Sequence, residues 1–175
     1  MIKNEIENSV KKIGAMLDMQ TVLNDAIMKE KGLTFGNGKF NPDTLIRAII
    51  DEVGELNHEL KATWCWWKET QKPVDNLKAL EELVDVWHFV LSKHYLVDVP
   101  NGRQGDITAL FLNGIKTSRE DMLYGNDPVA EFFELRYELD DVIALTFSLG
   151  YDIDDVYDMY ITKNKINFER LKNGY

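Results

Sequence analysis

From Glu5 to about Lys31 the apolar residues fall at three- and four-residue steps: Ile6, Val10, Ile13, Met16, Leu17, Val22, Leu23 and Ile27. That period is helical, and Gly32 with the Gly36-Asn37-Gly38 cluster closes it. Asn41 before Pro42 reads as a cap with proline in the first turn, opening a second helix to about Lys61. An aromatic run, Trp64-Cys65-Trp66-Trp67-Lys68, and a loop holding Pro73 lead to a third helix over about 74–97. Its apolar positions Leu77, Leu80, Leu83, Val84, Trp87, Val90 and Leu91 are dense enough to place it at the centre of the fold. Residues 98–127 carry Pro100, Gly102, Gly105, Gly114 and Gly125 and predict at most one short helix near 107–115. A helix is expected over about 128–149, ended by Gly150. A last helix, capped by Asp152, runs to about Leu171. Strand alternation is weak throughout. The expectation is one all-α bundle domain over 1–175, with 99–127 a variable, insertion-like segment.

At 175 residues with 45% hydrophobic and 11% aromatic content, the chain can bury a real core, and disorder is excluded. Thirty acids against 20 bases give a net charge of −10, which argues against binding to nucleic acid or an anionic membrane. A single cysteine, Cys65, excludes an internal disulfide and points to a reducing compartment. The longest charge-free run, Val142 to Tyr151, is about half of what a spanning helix needs. The start, Met1-Ile2-Lys3-Asn4-Glu5, shows no secretory pattern. A cytoplasmic protein is expected.

Two carboxylate pairs stand out. Glu52 and Glu55 lie on the second helix, Glu82 and Asp85 on the third. Residues three apart share a helix face, and like charges there repel unless a cation sits between them. The 26 residues between the pairs allow the chain to fold back and bring them face to face. Four carboxylates so placed make an open oxygen site for Mg²⁺ and a polyphosphate. In so acidic a chain such pairs also arise by chance. Glu131/Glu134 and Glu138/Asp141 show the same spacing, but on one expected helix, where they cannot face each other. Near the end, Lys163, Asn167 and Arg170 recur at four- and three-residue steps and give a basic face on an acidic molecule. Those cations either grip phosphate or merely complement the helix C-terminus.

These features together resemble the dimeric all-α dUTPases, within the MazG-like superfamily of all-α nucleoside triphosphate pyrophosphohydrolases. The superfamily pattern is Glu-x-x-Glu, a gap, then Glu-x-x-Asp. The run Glu82-Leu83-Val84-Asp85-Val86-Trp87-His88-Phe89, the tryptophan cluster and Met19-Gln20-x-x-x-Asn24 are closer to the dUTPase branch. So is the ending Lys163-Asn164-Lys165-Ile166-Asn167-Phe168-Glu169-Arg170 with Gly174-Tyr175. The likeness covers 16–95 and 152–175, whereas 99–150 matches nothing in that pattern.

The resemblance implies a Mg²⁺-dependent dUTP diphosphatase, a homodimer that releases dUMP and pyrophosphate. Glu52, Glu55, Glu82 and Asp85 would hold the metal, with Glu52, or alternatively Glu55, taking a proton from the attacking water. Gln20, Asn24 and His88 would meet the uracil or sugar, and Phe89 would crowd a 2′-hydroxyl. Trp64 is the candidate for stacking on uracil, while Trp66 and Trp67 read as core or dimer-interface residues. Lys163, Asn164, Asn167, Arg170 and Tyr175, and more weakly Lys68, would bind the outer phosphates. Two other readings share the metal motif or the fold: a pyrophosphohydrolase for dCTP or noncanonical nucleotides, and a regulatory helical dimer that binds another protein with little activity.

Overall fold

The structure is a computed structural model that describes residues 3–34 and 40–174. Tyr175 and the Gly36-Asn37-Gly38 cluster lie outside the described residues. Eight α-helices form the chain, with no strand among the described residues. They are α1 (Lys3–Glu30), α2 (Asp43–Glu59), α3 (Lys61–Trp64), α4 (Asn76–Lys93), α5 (Ile107–Tyr124), α6 (Pro128–Phe133), α7 (Leu139–Ser148) and α8 (Ile153–Lys172).

Local chemistry sets the ends. The Asn41 side-chain oxygen accepts from the Asp43 N–H at 3.0 Å, just ahead of α2. Asp75 caps α4 through the N–H groups of Leu77 and Lys78, and Asp152 with Asp155 makes a reciprocal capping box at α8. Gly125 closes α5 in the left-handed conformation at φ 70°, which costs glycine little.

The dense third helix is central, as its pattern predicts. α4 packs on α1, α2, α7 and α8, and Leu83, Val84, Val86, Trp87 and Leu91 are fully buried along it. Burying each such side chain contributes about 1.5–3 kcal/mol. Trp87 keeps its polar end satisfied by donating from Nε1 to Thr146 Oγ1 of α7 at 2.9 Å. Beyond Lys93 a π-helical turn, His94–Asp98, carries the Val99 N–H to the His94 carbonyl at 2.9 Å. Buried Asp98 holds this turn by accepting from Lys93 at 2.8 Å and Arg103 at 2.9 Å.

Two expectations are corrected. The segment after Asp98 holds a full helix of 18 residues, α5, because Gly114 lets it approach α7 closely. A Cβ at Gly114 would meet Ile143 Cγ2 at 2.6 Å and the Asp140 carbonyl at 2.8 Å. Glycine here is a packing residue, which its sequence reputation as a breaker conceals. The helix expected over 128–149 is two, α6 and α7, divided at Tyr137, whose φ is 57°. The Glu138/Asp141 spacing, read as a charge pair, is the capping box that restarts the chain, with the Glu138 N–H donating to Asp141 Oδ2 at 2.8 Å.

Candidate active site

One face of α4 supplies Glu82, Asp85, His88 and Ser92 at helical spacing, and α1, α2 and α8 close around it. A cavity of about 490 Å³ lies between them. Glu52, Asp85, Asn167 and Arg170 line its charged part; Gln20, Asn24, His88 and Ser92 line its neutral part. Leu33, Phe40, Leu45 and Leu96 supply apolar wall, the last from the π-helical turn.

At the charged end, Glu52, Glu82 and Asp85 offer one carboxylate oxygen each, all within 4.8 Å of one another. Burial, then the charges of Asp85, Glu55 and Glu82, push the Glu52 carboxyl up to about 7. Glu82 is raised as well, chiefly by burial. Lys163 of α8 donates to Asp85 Oδ2 and works against both shifts. Glu55 is exposed and outside the three-carboxylate cluster, yet close enough for its charge to act on Glu52. An all-oxygen set that crowds anions in this way fits a hard divalent cation such as Mg²⁺.

The neutral end is a closed hydrogen-bond network. Gln20 Nε2 donates to Ser92 Oγ at 2.9 Å and to Asn24 Oδ1 at 3.1 Å. Gln20 Oε1 lies 2.7 Å from His88 Nδ1 and accepts from the Tyr160 hydroxyl at 2.6 Å. The Tyr160 ring stacks on the His88 imidazole, centroids 4.2 Å apart. Burial, with Lys163 nearby, drives the His88 pKa down to about 3, so the imidazole is neutral near pH 7. Three buried atoms here have no hydrogen-bond partner among the described residues: His88 Nε2, Asn24 Nδ2 and Asn164 Nδ2.

Of the residues singled out in the sequence, Gln20, Asn24, Glu52, Asp85, His88, Phe89, Asn167 and Arg170 line this one cavity. Glu82 and Lys163 join through the carboxylates, and buried Asn164 sits one helical turn beyond Tyr160. Trp64 does not join them: its indole N–H donates to the Asn57 carbonyl at 2.9 Å and its ring lines a separate cavity with Val74, Asn76 and Tyr151. Lys68 is exposed, away from both cavities. Trp66 is 88% exposed and Trp67 also exposed, so neither belongs to the core, whereas Trp87 is buried as expected and Cys65 is buried as well. Ser92 and Tyr160 were not foreseen. Their signal was faint: Ser92 lies one turn beyond His88, and Tyr160 one turn before Lys163 and Asn164.

An all-α bundle that sets clustered carboxylates against lysine and arginine at one end of a cavity, and neutral amides at the other, is built to act on a nucleoside phosphate anhydride. A family model described as dUTPase matches residues 12–175, and no curated protein matches. The chain belongs to the dUTPase family, and its reaction is the hydrolysis of dUTP to dUMP and pyrophosphate. The match takes in the 99–150 segment, which the sequence motifs left unassigned. No helix among the described residues is long and apolar enough to cross a membrane.

Proposed function

We propose that this chain performs its reaction with Mg²⁺ held by Glu52, Glu82 and Asp85, joined by Glu55 from the next turn of α2. The observation that carries this is the convergence of three carboxylate oxygens within 4.8 Å beside Lys163. When bound, Mg²⁺ neutralises charge on phosphoryl oxygens and acidifies a coordinated water. The protein's own groups divide the remaining work. Glu52, half-buried and raised toward neutrality, is suited to take the proton of the attacking water at its carboxylate, with Glu55 the alternative. Lys163, Asn167 and Arg170, all on one face of α8, receive the β- and γ-phosphates, and Lys163 exchanges its Asp85 partner for phosphate as substrate enters. Asn164 adds an amide to the same face. Gln20, Asn24 and His88 meet the uracil edge, and Phe89 crowds a 2′-hydroxyl.

As the family resemblance implies, the working form is a homodimer in the cytoplasm, acting on free nucleotide and on neither nucleic acid nor membrane. An open hollow on the outer face of α2, lined by Arg47, Ile50, Asp51, Gly54 and Glu55, supports a partner surface there, as do exposed Trp66 and Trp67. A second copy covering this face would bring its own groups towards Glu55.

The test is pyrophosphate release from dUTP, dTTP, dCTP and UTP, each with Mg²⁺ and with chelator. Turnover of dUTP well ahead of the others, lost with chelator, is expected. The margin over dCTP should be about a thousandfold, because a site that pairs a polar edge rejects wrong donors strongly. dTTP is disfavoured by its 5-methyl group and UTP by Phe89 against its 2′-hydroxyl. Equal turnover of dCTP overturns the base assignment, and full activity in chelator overturns the metal.

A further inference from the structure

We propose that Tyr160 and Ser92 are positioning residues that fix the polarity of the Gln20 amide, and through it the tautomer of His88, so that the cavity presents a hydrogen-bond acceptor, His88 Nε2, with a donor, Asn24 Nδ2. The inference rests on the reading of this cavity as the base site and adds to it the two residues that choose the base.

The number of hydrogens available in the network fixes its direction. Ser92 has one hydroxyl proton, and its shortest acceptor is the His88 carbonyl of its own helix at 2.8 Å. With that proton committed, Ser92 Oγ can only accept from Gln20 at 2.9 Å, so the nitrogen of the Gln20 amide faces Ser92. The carbonyl oxygen then faces the other way, towards Tyr160 and His88. The buried Tyr160 hydroxyl donates to it at 2.6 Å. His88 Nδ1, 2.7 Å from the same oxygen, must carry the imidazole proton. His88 Nε2 is therefore a bare lone pair.

Asn24 follows from the same chain. Its oxygen accepts from Gln20 Nε2 at 3.1 Å, which turns its Nδ2 out of the network. His88 Nε2 and Asn24 Nδ2 are both buried and have no hydrogen-bond partner among the described residues, and both residues line the cavity. A buried polar atom without a partner is costly, so the pair favours a ligand that completes it. Uracil offers an N3–H donor flanked by carbonyl acceptors and matches an acceptor with a donor beside it. Cytosine places a lone pair at N3, against the lone pair of His88 Nε2, and a thymine ring keeps the same edge as uracil. With N3 facing His88 Nε2 the device thus favours uracil over cytosine, whose N4–H and N3 meet the same pair only in a register shifted by one ring position, and it leaves the 5-methyl group to shape.

The two residues come from different helices, Ser92 from α4 and Tyr160 from α8. Reversing the Gln20 amide would turn its NH₂ towards the Tyr160 hydroxyl and its oxygen towards Ser92. Both helices oppose that reversal, and the Tyr160 ring stacked on His88 holds the imidazole plane while the hydroxyl sets its proton.

The experiment pairs a spectroscopic reading with kinetics on the full chain. Nitrogen-15 NMR of the imidazole near pH 7 reports which ring nitrogen of His88 is protonated, without substrate. In the wild type Nε2 is expected to be unprotonated. Tyr160→Phe, which keeps the ring stack, and Ser92→Ala should each shift His88 towards a mixture of tautomers. Each should also lower the preference for dUTP over dCTP in kcat/KM by about tenfold, the worth of one hydrogen bond. Ser92→Thr, which retains a hydroxyl, should restore both. A wild-type His88 protonated at Nε2 overturns the proposal, as does unchanged tautomer and base preference in folded Tyr160→Phe. A wild type that shows the expected tautomer yet cleaves dCTP as fast as dUTP sinks the uracil reading and leaves the positioning role standing.

Discussion

Two successive turns of α4 face the same cavity and are built on opposite principles. The first carries Glu82 and Asp85, partly exposed, crowded by Glu52 and opposed by Lys163. The second carries His88 and Ser92, both buried, neutral and held through Gln20 to α1 and α8. The charged turn is electrostatically unfinished: its anions raise one another's proton affinity, and a cation relieves them. The neutral network is finished, among the described residues, except for the nitrogens His88 Nε2, Asn24 Nδ2 and Asn164 Nδ2. A phosphate end can rely on ions arriving with the substrate, whereas discrimination between bases needs donors and acceptors set beforehand, since an amide free to turn would accept either pattern.

The largest effect that separates these ends comes from the carboxylates. Glu82→Gln or Glu52→Gln should cut kcat by at least about a hundred- to a thousandfold, the scale of losing one preorganised electrostatic group. The same change should hold or raise the melting temperature measured in chelator, because a crowded charge is gone. A fall in both activity and stability would show that these acids serve the fold.

Next in size is the α8 clamp. Arg170→Ala should lower kcat/KM for dUTP about thirty- to a hundredfold while leaving dUMP affinity nearly unchanged, as the monophosphate lacks the outer phosphates. Equal losses for dUTP turnover and dUMP binding would move Arg170 to the base end.

A scaffold change gives the contrast with both ends. Gly114→Ala forces a methyl group against Ile143 and the Asp140 carbonyl, at a cost of about 1–3 kcal/mol and roughly 2–4 °C in Tm per kcal/mol. Activity per folded molecule should be kept, as read by kinetics at a temperature well below the transition.

The smallest effect is the pH dependence of stability. Glu52, ordinarily near 4.5, stands at about 7 in the fold, so between those values the native state holds more proton than the unfolded one. Its contribution therefore favours folding at low pH and is lost as pH rises through 7. His88, lowered from 6.5 to about 3, acts in reverse and only below 6.5. From pH 6.5 to 8 the Glu52 effect remains. In chelator the wild type should lose melting temperature over that range, and Glu52→Gln should lose less.

The positions of α1, α2, α4 and α8, the central place of α4 and the list of acids were readable along the chain because each depends on period and spacing alone. The charged end was therefore legible: Glu82 and Asp85 advertise themselves three residues apart. The neutral end was half legible. Gln20, Asn24 and His88 could be named, but Ser92 and Tyr160 carry no distinctive spacing, and their value depends on α4 and α8 meeting α1 at Gln20. Trp64 is the contrasting case: a rare residue in a motif draws attention in the sequence, while in the fold its indole N–H donates to the Asn57 carbonyl and the residue lines another cavity.

What the sequence determined by itself was local: a helical period, caps at Asn41 and Asp152, and repelling carboxylates on single helix faces. The tertiary structure decided where helices stop for reasons of contact. Gly114 continues α5 because Ile143 needs the space, and Tyr137 breaks the chain so that α6 and α7 can pack separately. It also decided which way a proton points. The tautomer of His88 follows from a tyrosine 72 positions further along the chain and a serine one turn away, joined through Gln20. Spacing along a helix specifies which residues share a face. The direction of a hydrogen bond depends on every neighbour of both partners, and those neighbours meet only when the chain is folded.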